Sequence, residues 1–171
     1  FEFTFKDIYG KPVGRDKFKD HVTVVGFSTA DTQKVAEEVG HKIGEKYGAR
    51  EGYLNMVIPN TSSLGFLLKP FADGRVVAAE EDAVKVALKR QINSGNKDAS
   101  PESVRERIVF IHDKDGSIWK ALGLNPSANK YHIAVMDSTG SLVYMAQDPI
   151  DTSELFGVLD REFSKITPTT N

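Results

Sequence analysis

The chain contains no cysteine. That absence removes disulfides, thiolate catalysis, cysteine-ligated zinc and iron–sulfur clusters together, and it leaves the redox character of the compartment open. Long apolar runs are also missing. Stretches such as Ile133-Ala-Val-Met136 are far shorter than the roughly 20 residues a membrane-spanning helix needs, so no membrane span is expected. Excess charge of one sign is absent too, with a formal net charge of −2 and no run of Lys and Arg that would build a basic stripe, which argues against a nucleic-acid partner. No Ser-His-Asp arrangement, phosphate-cradling glycine loop or paired-carboxylate motif stands out, and no cofactor is implied.

What is present fits one domain, residues 1–171. The chain is 40% hydrophobic, enough for a sizeable core. It opens at Phe1 rather than Met, which points to processing or trimming and is compatible with a removed export signal. Localisation and oligomeric state are not readable.

The organising stretch is His21 to Val35. Val22, Val24, Val25 and Phe27 predict a buried strand, and Asp31 is the expected N-cap of a helix running to about Tyr47. Val35, Val39, Ile43 and Tyr47 recur at four-residue steps, giving that helix one inward face, and Gly48 is placed to stop it. Upstream, Phe1-Glu-Phe-Thr-Phe5 alternates like a half-buried strand, and the turn in Ile8-Tyr-Gly-Lys-Pro-Val13 makes a hairpin-like N-terminal extension. Tyr53-Leu-Asn-Met-Val-Ile58 is the next strand.

From Asn60 to about Arg107 the pattern is least regular. Asp73-Gly74 reads as a loop, Glu80 to about Ile92 as a helix with Val84, Val86, Ala87 and Leu88 inward, and Ser100-Pro101-Glu102 as the capped start of a short helix. Ile108-Val-Phe-Ile111 is a compact strand, followed by a brief helix around Trp119 closed by Gly123. Tyr131–Met136 and Ser141–Met145 flank the turn Asp137-Ser-Thr-Gly140 as a hairpin. Asp151, with Glu154 three residues on and Ile150 against Leu155, opens a final helix. A frayed tail is expected from Thr167. This order of elements calls for an α/β fold with a mixed central sheet flanked by helices in three layers.

Three stretches carry a family likeness: Tyr9-Gly-Lys-Pro-Val13 followed by Val22–Phe27, Ile111–Gly123 with its acidic-Gly turn and short helix, and the terminal hairpin Ile133–Tyr144. Together with the element order they resemble the thioredoxin-like redoxins, the group of peroxiredoxins and bacterial thiol–disulfide oxidoreductases. The resemblance covers nearly the whole chain apart from an inserted helical and loop region at about 60–107. It implies an active cysteine pair after the central strand, and a gap-free match puts Thr32 at the nucleophilic position and Val35 at the resolving one. It also implies a cis-proline before the terminal hairpin, near Tyr131, where this chain has none. A threonine hydroxyl stays protonated near neutral pH, so the family's exchange chemistry is not available.

Candidate sites are therefore binding sites. Thr29, Asp31 and Thr32 have the chemistry for a hydroxyl- and amide-lined ligand site at a helix N-terminus, although capping is the commoner role of such residues. His112, Asp113, Asp115 and His132 are the only grouping with metal-ligand chemistry. Asp-Lys-Asp-Gly is ordinary turn chemistry, and no metal is expected there. Tyr131 and His132 border the groove that the resemblance implies. Phe66 and Phe71, with Leu64, Leu67 and Leu68, offer a partner-binding patch or a lid folded over the vacant groove. The expected function is a redox-inactive thioredoxin-like domain that binds a protein or peptide. The alternatives are a ligand-binding protein or non-thiol enzyme using Thr29–Thr32, and a cysteine-free variant of a thiol oxidoreductase.

Overall fold

The computed structural model describes residues 5–166. The expectations for residues 1–4 and for the tail from Thr167 lie outside them. Strands β1 (Phe5–Lys6) and β2 (Pro12–Val13) pair antiparallel, with Phe5 opposite Val13. Asp7 shapes the turn by accepting the amides of Tyr9 and Lys11 at 2.9 and 2.8 Å, and Gly10 takes a φ of 80° there.

Five strands form the main sheet: β3 (Val22–Ser28), β4 (Tyr53–Pro59), β5 (Ile108–Phe110), β6 (His132–Met136) and β7 (Leu142–Gln147), in the order β5-β4-β3-β6-β7. β3, β4 and β5 run parallel, whereas β6 is antiparallel to β3 and β7 to β6. β3 lies in the middle with helices on both faces, so all seven of its residues are buried. That is why its sequence is mostly apolar, with only Thr23 and Ser28 polar, rather than an alternation.

Helix α1 (Gln33–Tyr47) links β3 to β4, and α2 (Ala72–Asn93) with the short α3 (Pro101–Arg105) links β4 to β5. Both connections step the same way across the sheet, and right-handed crossovers then put α1 and α2 on one face. Helix α5 (Thr152–Lys165) packs on that face as well, its Leu155, Val158, Leu159 and Phe163 meeting Val22, Val24, Ile133 and Val135. Leu155 and Leu159 are fully buried, each contributing about 2 kcal/mol relative to exposure. On the opposite face, Val25, Phe27, Leu54, Met56 and Ile58 pack with Phe18 and with Trp119 of helix α4 (Ser117–Ala121).

The mixed sheet, the terminal hairpin and the helix order agree with the sequence reading. Asp151 caps α5 by accepting the amides of Ser153 and Glu154 at 2.9 and 3.1 Å. Ser100 caps α3 through the amide of Ser103.

Two local expectations are corrected. Asp31 is not an N-cap: its side chain is exposed, and a 3-10 turn over Ala30–Thr32 precedes α1. The reciprocal cap is formed by Thr29 and Thr32 instead, because the tighter turn brings those two hydroxyl-bearing residues together. The helix expected from Glu80 starts eight residues earlier, at Ala72. Asp73-Gly74 reads locally as a turn, but burial of Ala72 and Val76 extends the helix through it. Of its four expected inward residues, Val84 is buried and Val86, Ala87 and Leu88 are half-buried.

Candidate functional site

The strand–helix junction begins where β3 ends at Ser28. Thr29 and Thr32 are both buried, and their polar groups are spent on one another. The Thr32 hydroxyl accepts the Thr29 amide at 2.8 Å, donates to the Thr29 carbonyl at 3.4 Å and lies 3.3 Å from the Thr29 hydroxyl. Asp31 projects into solvent beside them. The arrangement is a closed cap: neither hydroxyl is held by a base, and the chain has no thiolate to place there. Val35, at the second position of the implied thiol pair, packs half-buried against the α1–α5 core.

Tyr131 and His132 are consecutive at the start of β6 and therefore serve opposite faces of the sheet. Tyr131 lies on the α1 face, buried, with its hydroxyl over Gly26 of β3. A Cβ at position 26 would lie 2.9 Å from that hydroxyl, so the close approach of the phenol requires glycine in the central strand. His132 stands edge-on to Trp119 on the other face, with ring centroids 5.7 Å apart. Burial pushes the His132 imidazole below its ordinary pKa, and its Nε2 has no hydrogen-bond partner among the described residues. The one cis peptide among the described residues is Asp148–Pro149, beyond β7 rather than before β6.

The acidic turn after β5 is structural. Buried Asp113 accepts the Asn60 side-chain amide at 3.0 Å and the backbone amides of Trp119 and Ile118 at 3.1 and 3.3 Å. Asp115 accepts the Ser117 amide at 2.9 Å. His112 is pinned between the Thr61 hydroxyl at 2.7 Å and the Asp73 carboxylate at 2.8 Å. Its burial lowers the imidazole pKa, against an opposing pull from Asp73. No group of three or more His, Asp or Glu side chains among the described residues could hold a metal ion.

Two features lie beside the junction. Phe66, Leu67, Leu68 and Phe71 are exposed by 87, 80, 50 and 66%, so this loop does not fold back as a lid. It is bracketed by Leu64 and Ala72, which line a cavity of about 610 Å³ between α1, α2 and the sheet. Thr29, Ala30 and Tyr131 line the same cavity, so the structure brings those candidates together, while His132 lies on the other face. The cavity exists because the facing helix sides are small: Ala36, Gly40 and Gly44 on α1 with Gly48 at its C-terminal end, and Ala79, Ala83, Val86 and Ala87 on α2. Sequence reasoning passed over it, although the four-residue spacing of those glycines and alanines was its visible signal.

Neither a protein-family model nor a curated protein matches the chain. Among solved structures it is similar to a putative thioredoxin from Neisseria meningitidis, with a TM-score of 0.62 and 13% identity over 96% of this chain and 89% of that one. It is also similar to the exposed lipoprotein thioredoxin of Streptococcus pneumoniae, with a TM-score of 0.59 and 12% identity over 94% and 99% of the two chains. A putative thiol:disulfide interchange protein from Chlorobium tepidum gives 0.56 and 12% over 95% and 93%. Identities this low establish the fold: the chain has the thioredoxin-like fold, here in a form without cysteine.

Proposed function

We propose that this chain is a redox-inactive thioredoxin-like domain that works by binding a protein or peptide, with Phe66–Phe71 as the contact surface. The supporting observation is the exposure of that surface. Phe66, Leu67 and Phe71 leave 87, 80 and 66% of their area in solvent within six residues. A contiguous apolar patch of this kind is costly to keep wet and marks interaction sites. Thiol–disulfide exchange is unavailable to the chain, so recognition is what the fold retains.

The test has two arms. Insulin-reduction and thiol-dependent peroxidase assays are expected to be silent, and measurable turnover would overturn the redox-inactive reading. In pull-downs from the source organism, Phe66→Ser/Phe71→Ser is expected to lose at least about 90% of whatever the wild type captures, since paired aromatic anchors carry most of a small interface. Circular dichroism checks that the variant is folded. Full capture by the folded double variant would remove this surface from consideration.

A further inference from the structure

The cavity between α1, α2 and the sheet has no part in the surface recognition just described, yet it is built as a container. Its volume of about 610 Å³ falls within the roughly 300–1,000 Å³ of sites that hold small molecules. Gly40 and Gly44 on α1 face Ala79 and Ala83 on α2 across it, and Val57 and Phe110 give it a largely apolar floor in which Asn55 is the polar member.

A second, independent feature lies at the sheet surface. The hydroxyl-bearing side chains of Ser28, Tyr53 and Tyr131 line the cavity, and these residues are only 7, 6 and 4% exposed. Among the described residues none of the three hydroxyls has a hydrogen-bond partner. The three are not fully enclosed but open onto the cavity, and gathered there they offer hydrogen bonds to whatever fills it.

The chemistry of that partner follows from the groups present. Burial pushes both phenols well above the ordinary tyrosine pKa, and Tyr53 raises Tyr131 further, so each hydroxyl keeps its proton to donate. Of the cations lining the cavity, Arg90 is held by the His41 ring at 2.8 Å and Arg107 by the carbonyls of Tyr53 and Arg50, while Arg75 on α2 stands exposed to solvent. Neutral donors over a largely apolar floor select an uncharged ligand with an acceptor oxygen.

We infer that this cavity binds a small, uncharged, largely apolar molecule carrying a carbonyl group, whose oxygen accepts from the hydroxyls of Tyr53 and Tyr131. The inference does not depend on the Phe66–Phe71 surface. Its probe is prodan, an uncharged naphthyl ketone with solvent-sensitive fluorescence, titrated into the intact chain. Saturable one-to-one binding with a blue-shifted emission is expected. Ala83→Phe, which fills the cavity, is expected to weaken it by at least about tenfold, and Tyr53→Phe/Tyr131→Phe by about fivefold or more. Should Ala83→Phe fail to fold, Gly40→Leu replaces it, since a Cβ added there meets nothing within 4 Å. Absence of saturable binding would overturn the inference, as would binding indifferent to both the cavity-filling and the double tyrosine variants. Binding abolished by Phe66→Ser/Phe71→Ser would also overturn it, by locating the dye on the surface patch.

Discussion

Thr32 and Val35 stand where the resemblance places a pair of thiols, and their surroundings have closed around them. The Thr32 hydroxyl is held by the backbone of Thr29, and Val35 packs toward α5. Their environments serve capping and packing: among the described residues the Thr32 hydroxyl bonds only to groups of Thr29, none of which is a base that would activate a nucleophile. At the same scale, His112 and His132 are both held below the ordinary histidine pKa of 6.5, desolvation being the first cause in each case. The unfolded chain therefore binds more protons than the folded one once the pH drops below about 6.5, and stability must fall with pH in that window. The fall ends below the folded-state pKa values. Urea denaturation between pH 7 and pH 5 should show this slope, and His132→Phe should flatten it, since His132 has no carboxylate partner to offset its burial. An unchanged slope in the variant would assign the acid sensitivity elsewhere.

Among the elements, α4 depends most heavily on one side chain. It spans only Ser117–Ala121, too short to be stable alone, and Asp113 secures its first turn through the amides of Ile118 and Trp119 while also holding Asn60. Asp113→Ala leaves three donors without their acceptor and should cost about 3 kcal/mol, measurable as a lower denaturation midpoint. A loss below about 0.5 kcal/mol would mean that the turn holds without it. The elements also show how far the sequence can be read. β3, β6, β7 and α5 were legible because strand pattern, turn chemistry and cap agreed. The start of α2 was not, since Asp73-Gly74 signals a turn locally and only the burial of Ala72 and Val76 overrides it. Of the candidate site, Thr29, Thr32 and Tyr131 were found one by one. The cavity escaped because it is defined by small side chains on two helices 24 or more residues apart in sequence, whose facing only the β4–α2–β5 crossover creates.

At the scale of the whole molecule, the sheet separates two unlike interiors. One face, under α1 and α5, holds a packed core near β6 and β7 and the open cavity toward β4 and β5. The other, closed by α4 and the N-terminal segment, is filled by Phe27, Met56, Ile58 and the chain's one tryptophan. Trp119 is fully buried there, edge-on to Phe27 at 6.1 Å and to His132, with its indole nitrogen donating to the Ile58 carbonyl. The molecule consequently carries its single indole fluorophore on the side of the sheet away from the cavity. Its emission registers the integrity of the sheet and the charge on His132, and a molecule lodged beneath α2 is partitioned from it by a full layer of backbone. Trp119 thus reports unfolding in the unmodified protein from a position that no occupant of the cavity touches.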